Sequence, residues 1–147
     1  MRFLKRSGMN ENNLLSIYFT MLRSAVEYCS TIYHSMIPAS LSEKLEKIQR
    51  HALRIIFGWN VNIEELMVAK GIETLNERRE KAVVNFALKN EDRERYGKIW
   101  FKKNEGGERS VRETTRRKYI EQKCRTERMR GNPITYMTRK LNEHHCN

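Results

Sequence analysis

Apolar residues recur at spacings of three and four through the first ninety positions, and the pattern breaks where helix-stop residues fall. Leu15, Tyr18, Leu22, Ala25, Cys29, Ile32 and Met36 define one face of a helix over 13–36, ended by Pro38. Ser40 with Glu43 three residues on is a hydroxyl–carboxylate capping pair. It predicts a second helix that buries Leu41, Leu45, Ile48, Ala52 and Ile55 and stops at Gly58. Asn62 with Glu65 opens a short third helix closed by Gly71, a residue suited to the left-handed stop. Thr74 with Glu77 opens a fourth, with Leu75, Ala82, Val83 and Phe86 on its apolar face. No segment alternates apolar and polar residues with hairpin turn chemistry. The expected fold class is therefore all-α, a small bundle of about four helices.

Beyond Asn90 the periodicity loosens. Gly97, Gly106 and Gly107 mark a linker on which Trp100 and Phe101 dock, and Ser110 with Glu113 starts a fifth, basic helix reaching about Met129, ahead of the breaker at 131–133. Few large apolar residues lie in that helix, so by itself it would be marginal in water. The chain divides into a lead-in over 1–12, a bundle over 13–90 and a basic, partly helical extension over 91–147.

Charge sharpens the picture. The formal net charge is +11 over 147 residues. Residues 1–90 hold 13 Lys and Arg against 9 Glu, and residues 91–147 hold 16 against 9, so the second part is the more basic. Such an excess favours a polyanionic partner, nucleic acid above all. Three cysteines without framework spacing indicate reduced thiols and an intracellular protein, cytoplasmic or nuclear. Leu14 to Ile37 is long enough to suggest a membrane span, but Arg23, Glu27 and His34 interrupt it, so no membrane role is expected.

Self-contained catalysis finds little support. Asp92 is the single aspartate, whereas a two-metal site needs several converging carboxylates. Neither a glycine-flanked nucleophile turn nor a phosphate-cradling glycine loop is present. His144, His145 and Cys146 are adjacent, and adjacent side chains do not close a tetrahedral metal site without help from Cys29 or Cys124. No metal site and no catalytic residue is assigned.

The binding candidates are cations. Lys47, Arg50 and Arg54 fall at i, i+3 and i+7 along one stripe of the second helix. Arg78 and Arg79 sit in the first turns of the fourth helix, where the helix dipole disfavours cations by ~0.3–1 kcal/mol. Either Glu77 and Glu80 or an external or interdomain acid compensates them, and the second alternative is preferred. In the tail, Arg112, Arg116, Arg117, Lys118, Lys123, Arg125, Arg128 and Arg130 are suited to phosphate contact, each adding to the salt dependence of binding. Trp59, Trp100 and Phe101 are able to stack on bases or to serve as core.

Arg23 and Glu27 are lone charges on an otherwise apolar stretch, in the less favourable i, i+4 order. They form either a buried pair fixing the helix against its neighbours or a polar strip facing another domain.

These residues together resemble the region just after the polymerase palm in non-LTR (LINE-like, Jockey-type) retrotransposon reverse transcriptases. The positions that carry the likeness are Ile17-Tyr18, Arg23-Ser24, Val26-Glu27-Tyr28, Tyr33-His34, Leu45-Glu46, Gln49-Arg50 with Ala52-Leu53, and Leu75 with Arg78-Arg79-Glu80. The likeness runs over about residues 2–90, and 125–142 looks like the end of such reading frames. Family members often carry Leu at the place of Val26 and Trp at that of Tyr33, and His51 replaces a small or polar residue. The resemblance implies a thumb-like subdomain that grips template–primer nucleic acid (RNA–DNA or DNA duplex). Residues 1–12 would be the lead-in from an upstream palm, and Arg23 and Glu27 would face that palm. The family's catalytic aspartates have no counterpart here, so the Mg2+ they hold is implied only for the palm and no cofactor for this chain. The rival expectation is a decayed or scaffolding helical fragment that binds only protein.

Overall fold

The computed structural model describes residues 1–93, 96–104 and 117–146. Among them the protein is helical and has no strand beyond one bridge between Lys103 and Tyr119. The helices are α1 (Arg2–Arg6), α2 (Glu11–Ile17), α3 (Ser24–Glu27), α4 (Ser30–Tyr33), α5 (Ala39–Phe57), α6 (Ile63–Ala69), α7 (Leu75–Glu91), α8 (Gly97–Trp100), α9 (Glu127–Arg130) and α10 (Pro133–Cys146). No described helix is long and apolar enough to cross a membrane. The chain forms two compact units, one of Met1–Ser30 with Ile37–Arg79 and the other of Thr31–Met36 with Glu80–Asn147.

In the first unit the helix expected over 13–36 is interrupted. Between α2 and α3 the residues Tyr18–Arg23 widen into a π-helix. Thr20 Oγ donates to the Ser16 carbonyl at 2.9 Å and Ser24 Oγ to the Thr20 carbonyl. Such hydroxyls draw on carbonyls of the helix ladder and loosen it. The helix ends at Glu27, and two residues on Cys29 takes a φ of +54°, left-handed and costly for a residue with a Cβ.

Leu14, Tyr18, Ala52, Leu53, Ile56, Ile63, Met67 and Ile72 form the core of this unit, with Met1, Leu4 and Met9 packed against it. Residues 1–12 are thus part of the unit and not a lead-in. The buried face of α5 is Gln49, Ala52, Leu53 and Ile56, whereas the expected Leu41 and Ile48 are each about half exposed, at 47% and 48%. The Ser40–Glu43 capping pair is also absent. The helix begins one residue earlier, at Ala39, after Pro38 in extended conformation and with no side-chain cap.

The other caps form. Asn62 Oδ1 accepts from the Glu64 N–H at 3.2 Å and Asn62 Nδ2 donates to Glu65 at 2.9 Å. Gly71, at φ +62°, turns the chain after α6, and the Ile72 N–H reaches back to the Met67 carbonyl at 2.8 Å. Thr74 and Glu77 exchange both bonds of a capping box at 3.2 Å.

A second set of caps on α7 comes from α5. Glu46 accepts from the Leu75 and Asn76 N–H groups at 3.3 and 2.7 Å. Gln49, almost fully buried, accepts from the Leu75 N–H at 3.1 Å and donates to the Glu73 carbonyl at 3.0 Å. Arg79 lies one turn further along α7 with no exposed surface. Its Nη2 donates to Ser42 Oγ at 2.9 Å and stands 3.7 Å from Glu46 Oε1. The inward position on α7 that periodicity assigns to an apolar residue is thus taken by a guanidinium, and Phe86 sits half-exposed at 36%.

The second unit has its own core of Val83, Ala87, Phe101, Tyr119, Met137 and Leu141. Residues 91–147 are therefore more than an extension. Of the fifth helix expected over 110–129, residues 110–116 lie outside the described residues, and 117–126 are not helical. Beyond the breaker, where the sequence pattern predicts no helix, residues 133–146 form α10. Pro133 occupies its first position, where a missing N–H costs nothing. Asn132 Oδ1 accepts from the Ile134 N–H at 3.0 Å. Three of its five buried residues are Thr135, Thr138 and Asn142, which hides it from a search for apolar periodicity.

Removing Glu46 strands the charge of Arg79 and uncaps α7. Glu46→Ala is expected to lower stability by about 3 kcal/mol in urea denaturation. The double variant Glu46→Ala/Arg79→Met should lose less than the sum of the two single changes. Strict additivity would show that the two side chains are not coupled.

Candidate nucleic-acid interface

The sequence offered three groups of cations, and the structure separates them by what each already touches. Arg78 and Arg79 are committed internally. Arg78 Nε and Nη2 donate to the two carboxylate oxygens of Glu27 at 2.5 and 3.1 Å, a bidentate pair, with Glu73 at 3.9 Å. Arg79 has no surface to offer a phosphate. Their assignment to an external or interdomain anion is corrected: the compensating acids are Glu27, Glu46 and Glu73 of the same unit.

The same contacts answer the question of Arg23 and Glu27. Glu27 pairs chiefly with Arg78, and Arg23 stands at 4.0 Å, its guanidinium 4.2 Å above the Phe19 ring. Neither residue is fully buried, so they do not form the buried pair of the first alternative; Glu27 instead fixes its helix to α7 through Arg78. An interdomain role is not needed to account for either residue.

Lys47, Arg50 and Arg54 all lie on the exposed side of α5, in different surroundings. Lys47 makes a solvent-exposed pair with Glu43 at 3.5 Å, worth at most ~1 kcal/mol and easily exchanged for another anion. Arg50 borders a hollow of ≈ 650 Å³ that also carries Glu64, Glu73 and Glu77, which offset its charge.

Arg54 is the strongest of the three. It lines a concavity of ≈ 430 Å³ together with Arg2, Lys5, Arg6 and Trp59, beside Ile55 and Gly58. No carboxylate among the described residues lines it. Arg2, Lys5 and Arg6 share one face of α1 at i, i+3 and i+4. Lys5 Nζ donates to the Ile56 carbonyl in the last turn of α5 at 2.6 Å, which anchors α1 there. Arg2 Nη2 lies 3.1 Å from His51 Nε2, and the His51 ring meets Trp59 edge-on at 5.7 Å. Arg54 Cζ is 5.8 Å from the Trp59 ring centre. The i, i+3 and i+4 spacing of the α1 cations is visible in the sequence, but no apolar periodicity marks 1–12 as part of the bundle.

The tail cations divide as well. Arg116 lies outside the described residues. Arg117 Nη1 bonds Glu121 at 2.9 Å, Arg130 bonds Glu127 at 2.7 Å, and Lys140 bonds Glu80 at 2.7 Å. Trp100 and Phe101 belong to packing. Phe101 is buried, and Trp100 stacks on Tyr96 at 5.1 Å and Phe86 at 6.4 Å.

A second constellation was not foreseen. Glu91, buried in the second unit, accepts from Lys118, from the Tyr119 hydroxyl and from His145 Nε2, the last at 3.0 Å. Burial alone would raise its pKa, but the three hydrogen bonds outweigh that and hold it down at about 2. The Tyr119 hydroxyl is pushed up in turn by burial and by Glu91. A carboxylate so tightly held does not exchange protons near neutrality, so the group acts as a clasp joining α7, residues 118–119 and α10. His145 is therefore engaged, and Cys146 is exposed. No three His, Cys, Asp or Glu side chains among the described residues are grouped to hold a metal ion.

No protein-family model, curated protein or solved structure matches the chain.

The Glu91 clasp has a definite pH dependence. Its carboxyl ionises near 4.5 when free and about 2 when folded, so its contribution is complete above pH 4.5 and drains away as pH falls towards 2. Glu91→Gln should cost roughly 2 kcal/mol at neutral pH and flatten the acid limb of the stability curve. Trp100 fluorescence followed against pH reads both effects. An unchanged acid limb would contradict the clasp.

Proposed function

We propose that the first unit grips the sugar–phosphate backbone of nucleic acid, as a thumb-like module of a non-LTR retroelement RNA-directed DNA polymerase. In this reading the chain contributes binding and no catalysis. The observation that carries it is the concavity of Arg2, Lys5, Arg6 and Arg54, where four cations face solvent with no lining carboxylate among the described residues. Holding like charges together is unfavourable by itself, and a polyanion relieves it while releasing its own counterions. The family resemblance of residues 2–90 supports the polymerase context. Lys47 and Arg50 would flank the grip, while Arg78 and Arg79 would support it from within the unit.

One observation favours the alternative of a protein-binding scaffold. Leu41 and Ile48, seven residues apart on α5, are about half exposed, and Ile48 borders an apolar hollow with Met1, Leu22, Ala52 and Ile55. A protein-only binder would show association independent of nucleic acid.

Filter binding to an RNA–DNA hybrid over a range of salt tests the proposal. Affinity should fall steeply with salt. Arg54→Gln and Arg6→Gln should each weaken binding and reduce the logarithmic salt slope by about 1. Salt-indifferent binding, or none at low salt, would overturn the reading.

A further inference from the structure

Trp59 is one of the large aromatics that packing leaves exposed, with Phe3 and Tyr28. It follows Gly58 at the end of α5 and is 62% exposed, with the Arg54 guanidinium and the His51 ring beside its own ring. His51 is in turn held by Arg2. The indole is thus positioned by polar groups at the edge of a cationic concavity. Isolated exposed aromatics are common on protein surfaces, but this one is set among Arg2, Lys5, Arg6 and Arg54, with nothing acidic among the described residues lining the space. That pairing of a π-face with a cationic track is what an unpaired nucleotide requires.

We infer that the concavity formed by Arg2, Lys5, Arg6, Arg54 and Trp59 binds an unpaired segment of nucleic acid, with a base stacked on the Trp59 indole and its flanking phosphates on the arginines. This rests on the polyanion reading and adds to it the strand state that the site selects. A base inside a duplex already has both faces stacked, so only an unpaired or terminal base has a face free for Trp59. Every base has a π-face, so selection is for single strand over duplex and weak between sequences. The cations set the affinity and its salt dependence, and the indole sets the preference. An anionic membrane surface also attracts cations and tryptophan. Yet α1 has only five residues and makes a poor in-plane anchor.

The test uses the full chain with Trp100→Phe, which leaves Trp59 as the one tryptophan. Its emission is titrated with oligo(dT) of about twelve nucleotides, with a blunt duplex of equal length, and with phosphatidylserine vesicles. The expected result is saturable quenching by oligo(dT), with duplex bound more weakly and quenching little. By anisotropy of labelled oligonucleotide, Trp59→Ala in the otherwise unaltered chain should weaken oligo(dT) binding roughly tenfold and leave duplex binding nearly unchanged. Arg54→Gln should weaken both. The anisotropy arm stands by itself if the Trp100→Phe protein does not fold. Equal binding of both strands, insensitive to Trp59→Ala, would overturn this inference and leave the backbone grip standing. Binding of neither oligonucleotide, or quenching by vesicles alone, would overturn both.

Discussion

The start of α7 is held by groups that belong to another helix. Glu46 and Gln49 of α5 receive the Leu75 and Asn76 N–H groups, and Glu46 also faces the buried guanidinium of Arg79. A helix start carries partial positive charge, and a buried arginine adds a full one. One carboxylate near both offsets each, and removing it would leave the buried guanidinium without its counter-charge. With Arg79 directed inward at Ser42 and Glu46, Arg78 reaches Glu27 on α3. Three helices of the first unit are thereby related through two arginines and two glutamates, over a core that supplies the bulk of the burial.

This arrangement alters how the positive charge of the chain is understood. A basic sequence suggests many equivalent phosphate contacts, but the structure divides the cations into those consumed by folding and those left available. Arg78, Arg79, Lys118 and Lys140 stabilise the fold through buried or half-buried acids. Arg2, Arg6 and Arg54 meet no carboxylate of the described residues in the concavity they share. The functional reading rests on the second group. It is narrower than net charge implies, and more specific, because the same concavity also presents Trp59.

The second unit follows the same logic with different residues. Glu91 is acceptable as a buried acid because Lys118, Tyr119 and His145 all donate to it. Beside it, Asn142 pairs with both the N–H and the carbonyl of Tyr119, at 2.9 and 3.0 Å. Polar anchoring of this kind lets a segment poor in large apolar residues hold a defined conformation, since Glu91 and Asn142 both find complementary partners.

Much of the local structure was legible. The stops at Gly58 and Gly71, and the caps at Asn62 and at Thr74 with Glu77, depend on residues a few positions apart, and they form as the sequence suggests. The all-α class followed from periodicity in the same way. Other features depend on residues 23 to 54 positions apart: Glu46 with Asn76, Glu27 with Arg78, Glu91 with His145, Asn142 with Tyr119, and Arg2 with His51. Periodicity treats a charged residue as facing solvent, so it misplaced Arg79, turned the buried face of α5 towards Leu41 and Ile48, and passed over α10. The amino-acid order determined where helices start and stop, because those signals act within a turn or two. Which charges would be spent inside the protein, and which would remain to meet an anion, was decided only when distant acids and bases came together, since the free energy of a charge depends on what surrounds it.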